Sequence, residues 1–178
     1  MKALSVMIVV LTVVLHNCLQ SAFSQDSVFV YHCERGQFTI SLPTGWTKQE
    51  QDLGESGLFV TGSPKESDKD LYREGINIIS SPSIETDLSK VNSEGIEGMK
   101  KLALFSLVDQ GIGKMGQNST AWFIFTFSDL KQTEKYKFIK YYLIHGGKMN
   151  IVTCSALPET FKHYLPYFKS IIGSIVFD

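Results

Sequence analysis

The chain has 178 residues, of which 17 are basic and 18 are acidic, so its formal net charge is −1. Such a balance excludes the strongly basic surface that is typical of proteins that bind nucleic acid or anionic membranes. Hydrophobic residues make up 43% of the chain, which is enough for the core of one domain.

The first residues have the pattern of a secretory signal peptide. Lys2 provides the positive end, an apolar run follows, and Ala22–Ser24 offers small residues before a cleavage site. The apolar run is shorter than the roughly 20 residues of a membrane span, so we expect cleavage and no span afterwards. This predicts a leader at 1–24 and a single exported domain at 25–178. An uncleaved anchor and a lipidated Cys18 are the alternatives.

The segment after the leader alternates between strands and turns. Short apolar runs bounded by turn residues predict four strands. They are Ser27–His32, Gln37–Leu42, Leu58–Gly62 and Gly75–Ser80. The segment Ser63–Glu74 is polar and carries charges of both signs, which is typical of a solvated loop.

A helix is predicted next, capped by Thr86 or Asp87. Its apolar stripe has helical spacing. The stripe consists of Leu88, Val91, Ile96, Met99, Leu102 and Ala103. Gly95 and Gly98 should each weaken the helix by about 1 kcal/mol. We expect the helix to end near Asp109–Gly111.

Three consecutive strand-like runs between Ser119 and Ala156 predict an antiparallel meander. The stretch His145–Lys148 is typical of a two-residue hairpin turn, since its paired glycines adopt positive φ angles. That turn places Tyr142 opposite Ile151 and makes both faces of the meander apolar. Something must therefore cover each face.

Pro158 begins a second predicted helix, at the first helical position that proline favours. The apolar stripe of this helix consists of Phe161, Leu165, Phe168, Ile171 and Ile172. Pro166 lies within it and should bend or restart the helix. With a helix available for each face, the element order predicts an α+β fold in which an antiparallel β-sheet is sandwiched between helices.

Cys33 and Cys154 are the two cysteines outside the leader. In an exported protein two cysteines more often pair than stay free, so we predict a disulfide between them. A bridge of this span would stabilise the fold by at most roughly 4–5 kcal/mol. The alternative is two separately buried thiols.

Four segments together resemble the PsbP-like superfamily. Phe38–Trp46, which has the sequence FTISLPTGW, is similar to the opening motif of that family, and Gly75–Ser80 to its asparagine-centred strand. Gly147–Cys154 and Phe161–Ile175 are similar to its last strand and last helix. The resemblance spans nearly all of the chain after the leader and is closest to exported bacterial envelope proteins of the DcrB type.

This resemblance implies an antiparallel sheet between helices and work that is mostly non-enzymatic. PsbP itself is an extrinsic subunit of photosystem II, and a nuclear-import factor that binds the GTPase Ran has the same fold. The leader conflicts with nuclear import, and no segment matches a photosystem-specific region. The shared motifs are typical of fold-determining positions, so the resemblance transfers no site residues.

No catalytic or metal-binding constellation is evident, and no cofactor is expected. Gly111–Gly116 matches G-x-G-x-x-G, but a dinucleotide fingerprint follows a strand and opens a helix. Here the helix precedes the glycines, which favours a simple connection from helix to strand. His32, His145 and His163 lack the spacing of metal ligands. A dyad of His163 with either cysteine is an alternative.

We therefore predict a monomeric, non-enzymatic accessory protein, located in the periplasm or outside the cell, free or attached to a membrane. Its expected partner is an envelope or membrane-associated protein. The candidate contacts, in the charged loop, are Lys65, Glu66, Asp68, Asp70 and Arg73. The second hypothesis is a carrier with an apolar pocket between sheet and helix. That pocket would be lined by Phe123, Phe125, Phe127 and Tyr141. An unrecognised hydrolase is the third hypothesis.

Overall fold

The structure, a computed structural model, describes residues 27–65, 72–102, 104–128 and 135–178. The predicted leader lies outside these ranges. Within them the chain forms two helices, α1 (Leu88–Met99) and α2 (Pro158–Gly173), and ten strands. The strands are β1 (Val28–Cys33), β2 (Phe38–Pro43), β3 (Thr47–Leu53), β4 (Ser56–Gly62), β5 (Gly75–Pro82), β6 (Ser106–Met115), β7 (Asn118–Ser128), β8 (Lys135–His145), β9 (Lys148–Ala156) and β10 (Val176–Phe177).

Seven antiparallel strands form a large sheet in the order β3-β4-β5-β9-β8-β7-β6. The other three form a small sheet in the order β1-β2-β10. Helix α2 and the small sheet pack on one face of the large sheet, and α1 packs on the other. The predicted α+β class, with an antiparallel sheet between helices, is confirmed.

The predicted meander is formed by β7, β8 and β9, in the register that its glycine turn dictates. Tyr142 lies opposite Ile151. Gly146 and Gly147 have φ angles of +56° and +74°, as a primed hairpin turn requires. Because neighbouring residues on a strand point to opposite faces, the meander contributes to two separate cores.

The two cores differ in composition. The core beneath α2 combines residues of both sheets and the helix. Its fully buried members include Phe38, Ile40, Phe59, Tyr141, Val152 and Phe168. The core beneath α1 is built largely of aromatic rings: Phe138 stacks between Phe125 and Phe127, with centroid distances of 5.1 Å to each. Each face of the sheet is thus covered by its own helix.

Helix α1 begins as predicted. The Asp87 carboxylate caps it by accepting hydrogen bonds from the backbone N–H groups of Ser89 and Lys90. The helix ends at Met99, however, and not near Asp109. The segment that contains Gly111 and Gly113 is strand β6, which pairs with β7. The predicted helix end and glycine connection were therefore wrong. Glycine disfavours helix, and pairing with β7, the next strand along the chain, supplies the backbone hydrogen bonds instead.

Helix α2 begins at Pro158 as predicted and continues without a break to Gly173. Pro166 does not restart it. The ring of Pro166 is on the exposed side of the helix, where water can satisfy the carbonyl that loses its backbone donor.

Strand β3 carries no apolar alternation, since its sequence TKQEQDL is polar and largely exposed. It is held by pairing with β4 and by Glu50. The Glu50 carboxylate accepts the Tyr31 hydroxyl at 2.8 Å and the Arg35 backbone N–H at 3.2 Å. The first of these bonds, together with burial, raises the pKa of Tyr31 to about 12. These contacts tie β3 of the large sheet to β1 of the small one.

Candidate functional site

The outer edge of β6 is open, because β6 ends the large sheet and pairs only with β7 among the described strands. Val108 and Ile112 on this strand are 52% and 59% exposed. A bulge between Leu107 and Asp109 disturbs the start of the strand, but the pairing from Asp109 to Met115 is regular. Unpaired backbone groups beside exposed apolar side chains are a template for another strand.

The opposite edge of the large sheet is protected by charge. Lys48, Glu50 and Asp52 alternate along β3, and Asp52 pairs with Arg35 at 3.0 Å. Charged side chains on an edge strand are a common device against unwanted strand pairing. The edge strand β6 also carries two exposed charged residues, Asp109 and Lys114. It differs from β3 in the exposed apolar side chains Val108 and Ile112, which suit it better to receive another strand.

A cavity of about 450 Å³ lies between β6, β7, β8 and helix α2. Gly111 and Gly113 lie on the same face of β6 as Trp122 and Thr120, with which they pair, but neither glycine lines the cavity. The indole of Trp122 lies across Gly111, where a Cβ atom would come within 2.8 Å of the ring. Gly113 has open space around its Cα. The missing side chain of Gly111 thus makes room for the Trp122 indole, which lines the cavity.

The lining of the cavity is apolar inside and charged at its mouth. Ile139 and Tyr141 are buried, whereas Trp122, Ile124 and Leu165 are half-buried. The exposed lining residues are Asp109, Lys114 and Lys169. An apolar recess with a few polar groups is the usual form of a small-molecule site.

The predicted pocket of three phenylalanines with Tyr141 is wrong. Tyr141 lies opposite Trp122 in the β7–β8 pairing and so shares its face, beneath α2. Phe123 and Phe125 lie on the other face and belong to the core beneath α1. Phe127 packs against that second core. Only Tyr141, of the four, lines the cavity that the described residues form.

The predicted contact loop is described only at its ends. Lys65 and Arg73 are exposed. Glu66, Asp68 and Asp70 lie outside the described residues. The loop as a partner surface therefore stays a prediction.

The cysteines and His163 do not form a nucleophilic site. Cys33 and Cys154 are free thiols, both buried in the core beneath α2. Burial raises the pKa of Cys33 to about 12 and that of Cys154 well above its usual range. His163 is exposed on α2, and the centroid of its ring lies 5.2 Å from the ring centroid of Tyr164. Thiols that stay protonated at neutral pH are poor nucleophiles, which argues against the dyad.

The disulfide between Cys33 and Cys154 is absent from this structure and stays a prediction for the exported protein. We expect the protein purified from its own host to gain the mass of two hydrogens on reduction, measured by intact mass spectrometry. An unchanged mass would contradict the disulfide. Alkylation by iodoacetamide would then be slow in the native protein and complete in denaturant, because both thiols are buried.

Within the described ranges no group of three histidine, cysteine or acidic residues is placed to hold a metal ion. No helix found there has the length and apolar character to cross a membrane.

Comparison of the whole fold with solved structures identifies several similar proteins. The solution structure of cyanobacterial PsbP (CyanoP) from Synechocystis sp. PCC 6803 matches with a TM-score of 0.60 at 11% identity, covering 89% of this chain and 96% of that one. LpqN, involved in cell envelope biogenesis of Mycobacterium tuberculosis, matches with a TM-score of 0.58 at 16% identity. The match covers 84% of this chain and 90% of LpqN.

A third structure, the protein of unknown function PA94 from Pseudomonas aeruginosa, matches with a TM-score of 0.59 at 13% identity, covering 84% of this chain and 96% of that one. No family model and no curated protein matches the sequence. The chain thus has a PsbP-like fold, which confirms the resemblance carried by its four sequence segments. At these identities the likeness is one of fold, and function must be argued from the chain's own residues.

Proposed function

We propose that this chain is an exported, non-enzymatic accessory protein of the cell envelope that binds another protein through the open edge of β6. The observation that carries the proposal is the exposure of Val108 and Ile112 beside unpaired backbone groups. An extended segment of a partner can add a strand to such an edge, with main-chain hydrogen bonds for affinity and alternate side chains for specificity.

Two further observations support export of the protein and a role in the cell envelope. The signal-like pattern of residues 1–24 favours export. LpqN, which shares the fold, is involved in cell envelope biogenesis, and an envelope role for this chain would agree with that. The partner would then be an envelope or membrane-associated protein that presents an extended, apolar-alternating segment.

Replacing Ile112 by lysine should weaken partner binding without unfolding the protein. A lysine on an edge strand opposes strand addition, and we expect at least a tenfold loss of affinity, about 1.4 kcal/mol. Leu53→Lys is the matched control, since Leu53 is 46% exposed on the opposite edge. The measurement is recovery of the partner from host envelopes by each tagged variant, quantified by mass spectrometry. Equal recovery by wild type and Ile112→Lys would contradict the proposal.

The same variants distinguish a foreign partner from a second copy of the chain. We expect the wild-type protein to be a monomer in size-exclusion chromatography with light scattering. A dimer that Ile112→Lys dissociates would mean that two β6 edges pair with each other. That outcome would replace the proposed partner by a second copy.

The carrier hypothesis is favoured by one observation, the cavity beneath α2. Its lining differs from the pocket that was predicted, since it contains Tyr141 but none of the three phenylalanines.

A further inference from the structure

We infer that the cavity between β6, β7, β8 and α2 binds a small amphiphilic monocarboxylate: an apolar body with one carboxylate at its end. The inference stands apart from the proposed strand addition, because it uses the cavity beneath α2 and not the unpaired backbone groups of β6. It rests on the size of the cavity, the distribution of charge at its mouth and one buried hydroxyl.

The size and the lining specify the apolar body. At about 30 Å³ for each non-hydrogen atom, the share of a water molecule in the liquid, a cavity of 450 Å³ accommodates about fifteen such atoms. Ile124, Ile139 and Leu165 present hydrocarbon, and the indole of Trp122 adds a flat apolar wall. A chain of about ten carbons fits this space and this chemistry.

The mouth of the cavity specifies the charge of the ligand. Lys114 and Lys169 are both exposed there and form no ion pair with a described residue. Asp109 is the one carboxylate in the lining, and it accepts the N–H of Gln110 at 2.8 Å. Two cations against one anion leave a net positive charge at the mouth. A single carboxylate would balance it, whereas a doubly charged phosphate would exceed it and be repelled by Asp109.

Tyr141 specifies a second polar atom in the ligand. This side chain lines the cavity, is 1% exposed, and its hydroxyl has no hydrogen-bond partner among the described residues. A buried donor without a partner is costly, and a ligand that brings an acceptor into the cavity removes that cost. Burial raises the pKa of Tyr141, so the hydroxyl keeps its proton at neutral pH and can donate.

The carboxylate is tested by isothermal titration calorimetry of the full-length gene product purified from its host. Decanoate is the probe, and decan-1-ol, of nearly equal length without the charge, is its comparison. We expect decanoate to bind more tightly, and Lys114→Glu and Lys169→Glu each to weaken its binding about two- to fivefold, as loss of an exposed ion pair implies. Lys162→Glu is the matched control, because Lys162 is exposed on the same helix and does not line the cavity.

Equal affinities for decanoate and decan-1-ol, or equal effects of the three lysine variants, would overturn the carboxylate assignment. Absence of binding by both probes would overturn the site itself. Neither result bears on the β6 edge, whose test uses Ile112, a residue outside the cavity lining.

The role of Tyr141 is tested by comparing 10-hydroxydecanoate with decanoate. The added hydroxyl supplies the acceptor, so we expect tighter binding in the wild type and loss of that preference in Tyr141→Phe. The melting temperature of Tyr141→Phe should not fall, because the hydroxyl that it removes has no partner in the fold. A preference that persists in Tyr141→Phe would overturn this role.

Discussion

Replacing Phe38 by alanine should lower the free energy of unfolding by about 3–5 kcal/mol, the usual cost of removing a buried phenylalanine. Phe38 is completely buried in the small sheet, and its ring meets that of Phe59 in the large sheet edge-on at 6.0 Å. The Phe38 ring also meets the ring of Phe177, with a distance of 6.2 Å between the ring centroids. The variant thus loses one of the side chains that join the two sheets.

This loss is measured by urea denaturation followed by circular dichroism. Thr39→Ala is the control, since Thr39 is the next residue on the same strand and is only half-buried. Its effect should stay within about 1 kcal/mol. A loss below 1 kcal/mol for Phe38→Ala would show that the small sheet does not depend on this contact.

Gly95→Ala and Gly98→Ala, three residues apart on α1, should change stability in opposite directions. A Cβ atom at Gly95 would overlap the hydroxyl of Tyr142, which is 4% exposed and cannot easily move away. We expect Gly95→Ala to lower stability by about 1–3 kcal/mol. Gly98 has no neighbour within 4 Å of such an atom, so Gly98→Ala should raise stability by up to about 1 kcal/mol.

The same denaturation experiment measures both glycine variants. Adding Tyr142→Phe to Gly95→Ala should recover part of the loss, because it removes the atom that the new methyl group meets. A stabilising Gly95→Ala would contradict the close approach of α1 to β8. From the sequence alone both glycines are expected to destabilise the helix equally. Only the packing of α1 against Tyr142 shows that their replacement by alanine should have opposite effects.

The meander was predictable because its signals are local. The turn at Gly146 and Gly147 fixes the register of β8 on β9, and the apolar pattern then fixes both faces. Both helix starts were equally local, through the Asp87 cap and Pro158 at the first position of α2.

The strands β3 and β6 were missed because their own sequences lack an apolar alternation, although each is joined to the strand after it by a two-residue turn. Their sequences are polar or rich in glycine, and each is fixed by pairing with one neighbouring strand at a sheet edge. The cavity was missed for the same reason, since part of its lining comes from β6 and exists only once that segment is a strand.

Whether Tyr141 shares a face with Trp122 or with the phenylalanines of β7 depends on the register of β7 on β8, which no short turn fixes. The connection from β7 to β8 is longer than a two-residue hairpin. Because β9 already fixes β8, a shift of one residue in the pairing of β7 with β8 would move every side chain of β7 to the other face of the sheet. The pairing of Tyr141 with Trp122 sets that choice.

The small sheet has a consequence for how the protein is made. Its β10 places Val176 beside Thr39, and the N–H of Asp178 donates to the carbonyl of Gln37 at 3.1 Å. During translation β1 and β2 leave the ribosome long before this closing strand exists. Contacts so far apart in sequence also form slowly. We therefore expect the small sheet to close later in folding than the hairpins of the large sheet, whose strands are adjacent in sequence.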